Sequence, residues 1–237
     1  MSAGSPATAR PSNASLRLLS VNVGHETPIQ GARKSGETGI FKRPVEGPVE
    51  IIPGGLAGDT ISDTKNHGGV DQAVYVFGAP DYGWWSEELG RELPPGTFGE
   101  NLTVSDLESA AVCVGDRLSI GPVVLEVTAP RIPCLTLAVR MGDPAFLKRF
   151  RRAERPGIYC RVIREGEVRA RDPVGYTPYV GERVPVLEVF RAFFDPDPGE
   201  DVLRRHLAAP IAVRARRENE EQLARMSADH TSARSIR

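Results

Sequence analysis

Cys134 stands in the segment Thr128-Ala-Pro-Arg-Ile-Pro-Cys134-Leu-Thr-Leu. Two prolines interrupt ladder pairing there, so the segment reads as a constrained loop leaving a strand. Arg131, three residues upstream, favours the thiolate if the loop folds back on itself. From the residues alone, a reactive thiol and an ordinary loop cysteine remain equally open. Cys113 in Ala-Ala-Val-Cys-Val and Cys160 in Gly-Ile-Tyr-Cys-Arg-Val lie in strand contexts, where a thiol is mostly a small hydrophobe. An odd number of cysteines without a pairing pattern argues against a disulfide framework and for a reducing cytoplasm.

Three further segments are polar, glycine-spaced and outside any strand pattern: Ser35 to Val45, His67 to Tyr75 and Phe98 to Thr103. Glycines let backbone N–H groups approach an anion, and Lys42, Arg43 and His67 add charge-assisted hydrogen bonds. Three ordinary loops would have the same spacing. Only Lys34, Lys42, Lys65 and Lys148 among thirty basic residues are lysines, which singles out Lys42. The dinucleotide fingerprint, the P-loop, the Gly-x-Ser-x-Gly elbow and the His-Glu-x-x-His pair are all missing. His25, His67, His206 and His230 are scattered and no Cys-x-x-Cys occurs, so a structural zinc site is not expected. Pro53-Gly-Gly-Leu-Ala-Gly-Asp59 reads as a turn.

Short apolar runs between turn signals must carry these segments. Leu16–Val23, Val49–Ile52, Ala73–Phe77, Val112–Val114, Arg117–Ile120, Val123–Thr128 and Ile158–Arg164 read as strands. No regular strand–helix alternation appears, which argues against a doubly wound sheet. Helices are expected at Asp81–Leu89, Ala145–Arg152, Asp201–Ala208 and Val213–Met226, the second behind an acidic cap and a first-turn proline. The texture changes near residue 195. The expected organisation is therefore a disordered leader over 1–15, a β domain over 16–194, a helical appendage over 195–226 and a disordered tail over 227–237. The basic run Lys148 to Arg155 reads as a solvated helix face.

Length and charge bound the partners. A chain of 237 residues buries a real core, and 30 basic against 31 acidic residues leave a net charge of −1. A global basic field for nucleic acid is absent. No apolar run reaches the roughly 18 residues of a membrane span, so neither nucleic acid nor a membrane is the expected partner.

Taken in order, Thr38-Gly-Ile-Phe-Lys-Arg-Pro-Val, His67-Gly-Gly, Phe98-Gly-Glu-Asn-Leu-Thr, Val114-Gly-Asp-Arg-Leu and Pro130-Arg-Ile-Pro-Cys closely resemble the MOSC domain, the C-terminal part of molybdenum cofactor sulfurase. The match is to its stand-alone bacterial branch, associated with resistance to 6-hydroxylaminopurine, and spans about Leu16 to Phe190. The resemblance implies a mainly β, MOSC-type β-barrel with a few short helices and the helical appendage. It also implies a molybdenum–pterin cofactor, with Cys134 as the protein ligand to molybdenum and as a catalytic residue beside Asp71. Thr38, Lys42, Arg43, His67, Gly68, Gly69, Gly99, Glu100, Asn101 and Arg131 then form the cofactor-binding set. A soft thiolate suits such a centre. The implied activity is reduction of a small N-hydroxylated substrate, with electrons from an external flavin- or haem-type reductase, since this chain has no ligation pattern for either group. Sulfur transfer through a Cys134 persulfide, or cofactor binding without catalysis, are the alternatives. The chain departs from the branch at Val70-Asp71-Gln72, where Pro-Asp-Lys is usual, and at Leu135 and Thr136, where an aromatic residue and a lysine are common.

Overall fold

The structure is a computed structural model that describes residues 16–31, 36–62 and 68–235, with side chains described up to residue 228. The strands are β1 Leu18–Val23, β2 Thr27–Pro28, β3 Glu37–Thr38, β4 Arg43–Pro44, β5 Val49–Ile52, β6 Gly55–Leu56, β7 Val74–Gly78, β8 Leu102–Val104, β9 Arg117–Ile120, β10 Val123–Pro130, β11 Ile158–Arg164, β12 Gly166–Val168 and β13 Val174–Thr177. The helices are α1 Ala79–Leu89, α2 Leu135–Met141, α3 Phe146–Ala153, α4 Val186–Phe193, α5 Glu200–Leu207 and α6 Val213–Ser235. Short 3-10 turns cover Val70–Gln72 and Ser109–Ala111.

Eight strands form one sheet in the order β13-β9-β10-β11-β7-β8-β1-β4, while β12-β5-β6 and β2-β3 form two small ones. Every pair is antiparallel except β7–β8. The expected closed barrel is not established by this ladder, whose ends are β13 and β4. One bridge, Arg17 to Pro173, and a hydrogen bond from Val174 N–H to Leu16 O link the start of β1 to the approach to β13. The fold is thus a mixed, sheet-rich one with six α-helices among the described residues.

Period-two alternation divides the interior into two cores. Along β7, Val74 and Val76 face an aliphatic cluster, while Tyr75 and Phe77 face an aromatic one. β11 repeats the division, with Ile158 and Cys160 on the aliphatic side and Tyr159 on the aromatic side. Cys160 is therefore a core residue, and burial pushes its thiol pKa well up. Phe98 stacks on Phe77 at 4.4 Å, and Trp85 of α1 lies 5.0 Å from Phe146 and 5.9 Å from Phe150 of α3. This aromatic layer backs the segment that carries Cys134.

The structure corrects the sequence reading at several points, among them α4, which was not expected, and β3, β4 and β8, which lie in segments read as outside any strand pattern. Val112–Val114 is not a strand; Cys113 makes an isolated bridge to Pro185, and Val114 N–H donates to Val184 O. Pro130 does join the ladder, opposite Ile158 at the end of β10, where its missing N–H removes little. Helix α2 follows Cys134 directly and was not anticipated. Helix α6 runs to Ser235, past the expected stop at Met226. The 1–15 leader lies outside the described residues. No helix among the described residues is long and apolar enough to cross a membrane.

Asp116 of the Val-Gly-Asp segment is fully buried and collects donors from Cys113 N–H (2.8 Å), Tyr179 N–H (2.8 Å), the Tyr176 hydroxyl and Arg183. It is a structural hub. In the appendage, buried His206 of α5 meets Glu188 of α4 at 3.2 Å. Burial lowers the imidazole pKa below its ordinary 6.5, and the Glu188 carboxylate only partly offsets this. Below about 6.5 the unfolded chain therefore binds a proton that the folded chain resists. His206 should leave stability unaffected above that value and lower it progressively as pH falls. Melting curves from pH 7.5 to 5.0 should show a steeper loss for the wild type than for His206→Gln; parallel curves would dismiss the effect.

Candidate functional site

From the end of β10 the chain runs through Arg131-Ile-Pro to Cys134, which caps α2 in an extended conformation (φ −122°, ψ 166°). The Cys134 carbonyl accepts the N–H groups of Leu137 (3.0 Å) and Ala138 (3.3 Å), which fixes the residue to the first turn. Its side chain is half-buried against the aromatic core. Arg131 is 4% exposed. Its Nη1 donates to Phe98 O at 2.6 Å, and its guanidinium sits 5.0 Å from the Tyr75 ring centroid. The Cys134 side chain is near enough to act on the guanidinium electrostatically.

Burial alone would lower the Arg131 pKa. Tyr159, Tyr75 and the Cys134 sulfur outweigh it, and the net shift is upward. No carboxylate forms a salt bridge with Arg131 among the described residues; Tyr159, Tyr75 and Cys134 are the groups that act on this buried cation. Arg131 Nε is buried with no hydrogen-bond partner. The structure brings Arg131 and Cys134 together, and Tyr75 and Tyr159, to which the sequence spacing gave no pointer, act on the guanidinium.

A second layer is built on Lys42 and Asp59, a buried ion pair (7% and 4% side-chain exposure). Asp59 also accepts Gly24 N–H and the Asn101 side-chain amide, each at 2.8 Å. Burial lowers the Lys42 pKa, Asp59 opposes that, and nearby Arg131 lowers it further. Asn101 is committed to the protein: its Oδ1 accepts Tyr75 N–H at 3.1 Å while its amide reaches Asp59. Thr38 is buried and accepts the Ile40 N–H at 3.2 Å. Glu100 is fully buried, and burial raises its pKa although Tyr82, Gly96 and Thr103 donate to Oε1. Its Oε2 has no partner. Gly99, at φ +75°, is required by packing, since a Cβ there would lie 2.8 Å from Ile40 and 3.4 Å from Arg131 Nη1.

Arg140 of α2 clamps this loop from the other side, donating to Thr97 O (2.7 Å) and Gly96 O (3.0 Å). Its pKa is lowered, first by burial, with Arg43 and Arg131 adding repulsion against Glu100 and Tyr82. Four cations, Lys42, Arg43, Arg131 and Arg140, therefore gather around the segment ahead of and after Cys134. Asp59 and Glu100 are the carboxyl groups that act on them, and burial favours the neutral form of Glu100. The balance is positive, as an anionic ligand requires.

Other sequence assignments separate from this cluster. Both Asp71 oxygens are occupied: Oδ2 accepts Val213 N–H at 2.6 Å and Oδ1 pairs with Arg161 at 3.0 Å. Asp71 ties α6 to β11. Gly68 and Gly69, with Asp59, line a cavity of about 170 Å³. His67 lies outside the described residues. Arg43 faces a larger cleft of about 500 Å³ with Val23, His25, Thr27, Pro28, Phe41 and Val45. Asp59 and Arg140 were missed by the sequence reading. Asp59 ends the Pro53 turn, and nothing in its spacing links it to Lys42; Arg140 carries no local signal.

Residues 63–175 match the family model of the MOSC domain. YflK of Bacillus subtilis is 39% identical over 151 residues, covering 64% of this chain and 68% of that protein. A Gibberella moniliformis protein named "Reductase" is 33% identical over 180 residues, 73% of this chain but 31% of its own length. The crystal structure of YiiM from Geobacillus stearothermophilus superposes with a TM-score of 0.73 at 24% identity, covering 88% of this chain and all of that one. With the Pro-Arg-Ile-Pro-Cys turn formed over an aromatic core and most of YflK's length matched, the chain belongs to the MOSC domain family.

Proposed function

We propose that this protein binds a molybdenum–pterin cofactor at Cys134 and reduces small N-hydroxylated compounds. The observation that carries the reading is the buried Arg131 guanidinium, which lacks a carboxylate salt bridge among the described residues and lies close enough to Cys134 for the two side chains to interact electrostatically. The residues fit the group. Cys134 offers one soft sulfur donor, which suits a metal that brings its other ligands. The orphan Arg131 Nε and the surplus of cations suit a polar, anionic cofactor. A homologue named as a reductase supports oxidoreductase chemistry.

When bound, the molybdenum would supply two-electron removal of oxygen from an N–O bond. Cys134 would give it one soft sulfur, kept deprotonated by Arg131. Arg131 is in turn held by Phe98 O and the Tyr75 ring, so the sulfur is fixed in direction as well as in charge. Lys42 acts from behind through Asp59 and Asn101, as a positioning residue rather than as a clamp on the ligand. Net, the substrate N–O bond breaks and two electrons and two protons enter, giving the amine and water. The electrons come from an external flavin- or haem-type reductase.

Protein from a cofactor-competent host should carry molybdenum and pterin in near-equal amounts. Under a chemical reductant it should convert benzamidoxime to benzamidine and 6-hydroxylaminopurine to adenine. Loaded protein that turns over neither would refute the reductase reading. A cyanolysable sulfur on Cys134 without molybdenum would replace it with sulfur transfer.

A further inference from the structure

Lys148, Arg151 and Arg152 share one face of α3, spaced i, i+3 and i+4, opposite the buried Phe146 and Phe150. All three are exposed, and none forms a salt bridge among the described residues. Their neighbours in the basic run are committed: Arg149 meets Glu88 at 3.2 Å and Asp143 at 3.3 Å, and Arg155 meets Asp81 at 2.7 Å. The free cations border an apolar group. Arg151 lies over the Phe194 ring at the end of α4, 4.4 Å from its centroid, and Phe194 meets Phe193 edge-on at 5.1 Å. Phe193 is 59% exposed, the one exposed aromatic ring among the described residues. Just past it the chain turns through Asp195-Pro-Asp-Pro-Gly-Glu-Asp201. Asp195, Asp197 and Asp201 are exposed there and form no salt bridge among the described residues either.

An exposed ring is thus bordered by cations on α3 and by carboxylates in the turn to α5. Such a patch suits neither an acidic nor a basic partner, since one set of charges would attract it and the other repel it. A second copy of the chain satisfies both sets. Under a twofold axis the same patch meets itself, so residues to one side of the axis face those to the other. We propose that the surface around Phe193 joins two copies of this chain. The Phe193 rings pack together near the axis, and the α3 cations of each copy lie against the acidic turn of the other. Ring against ring removes apolar surface from water and allows the edge or offset contacts that aromatic pairs prefer. Arg151 is already held over Phe194, so it loses little side-chain freedom on pairing. One short helix face, one ring and one turn make a contact at the small end of the range, so the dimer is reversible rather than permanent. It is independent of the chemistry proposed at Cys134.

Sedimentation of the full-length protein at about 50 mM salt should show a monomer–dimer equilibrium with Kd on the order of 10 µM. Raising the salt to about 500 mM should weaken it by about tenfold, as screening removes the attraction between charges. Phe193→Ser should weaken it by more than about tenfold, since the lost ring counts twice across a twofold axis. Reversing the cations with Arg151→Glu and Arg152→Glu, or the turn with Asp195→Arg and Asp197→Arg, should weaken self-association to a similar degree. Mixed in equal amounts, the two reversed proteins should pair at about wild-type strength, because each then faces its opposite. All these positions are exposed, so the variants should melt within a few degrees of the wild type. A wild type that stays monomeric up to about 200 µM at low salt would overturn the proposal. So would a dimer indifferent to Phe193→Ser and to both reversals, or reversals that weaken association yet fail to rescue one another.

Discussion

Cys134→Ala should purify folded and without molybdenum. The side chain is half-buried and ends the aromatic core rather than filling it, so losing one sulfur should change stability by only about 1 kcal/mol. The backbone bonds that begin α2 come from the Cys134 carbonyl and survive the substitution. On the function proposed above, the metal would by contrast lose its protein ligand. Removing even an outer supporting group costs about 10–100-fold in metal affinity or activity, so the loss here should exceed about 100-fold. Metal analysis and turnover of benzamidoxime, beside a thermal melt, separate the two effects. Full molybdenum in a folded Ala variant would remove Cys134 from the site. Arg131→Met checks the electrostatic half of the same claim in cofactor-depleted protein: alkylation of Cys134 at pH 7 should slow by about tenfold as the thiolate loses its counter-ion.

How far the sequence foresaw this depends on how local each cause is. β9 and β11 match their expected ends because each is an apolar run bounded by turn residues, and such signals need no tertiary partner. The proximity of Arg131 to Cys134 has a local cause too, since the two stand three residues apart on a proline-stiffened segment. Helix α2 was not: Leu-Thr-Leu-Ala-Val-Arg-Met is short, holds β-branched residues and has no capping side chain, so burial of Leu137 and Ala138 decides its conformation. The family resemblance implies a catalytic role for Asp71. Its actual partners, Arg161 and Val213 N–H, lie 90 or more residues away and could be named only once β11 and α6 were docked. The same non-locality hides the partner of Lys42. Asp59 is seventeen residues on, and the two meet because the end of β1 brings Gly24 to the same carboxylate.

That pair carries the second large expectation. Asp59→Ala should destabilise the protein by about 3–5 kcal/mol, because it leaves the buried Lys42 ammonium without its counter-charge. It also takes the acceptor from the buried Gly24 N–H and the nearest acceptor from the buried Asn101 amide, which keeps only Asn22 O at 3.5 Å. At about 2–4 °C per kcal/mol for a chain of this size, the melting temperature should fall by roughly 10 °C. Lys42→Met should cost less, since Asp59 keeps two donors. Replacing both members together, Lys42→Met with Asp59→Leu, should recover most of the stability, as buried pairs exchanged for apolar groups commonly do. The double variant then decides what the pair is for. If Lys42 and Asp59 only hold the fold, the stabilised double variant should load molybdenum like the wild type. The contacts argue otherwise: Asp59 fixes Asn101, Asn101 fixes Tyr75, and Tyr75 lies under Arg131, whose guanidinium interacts with Cys134. Removing Asp59 cuts that chain at its root. A double variant that melts like the wild type should therefore still load poorly and alkylate slowly at Cys134. Wild-type loading would reduce the pair to scaffolding.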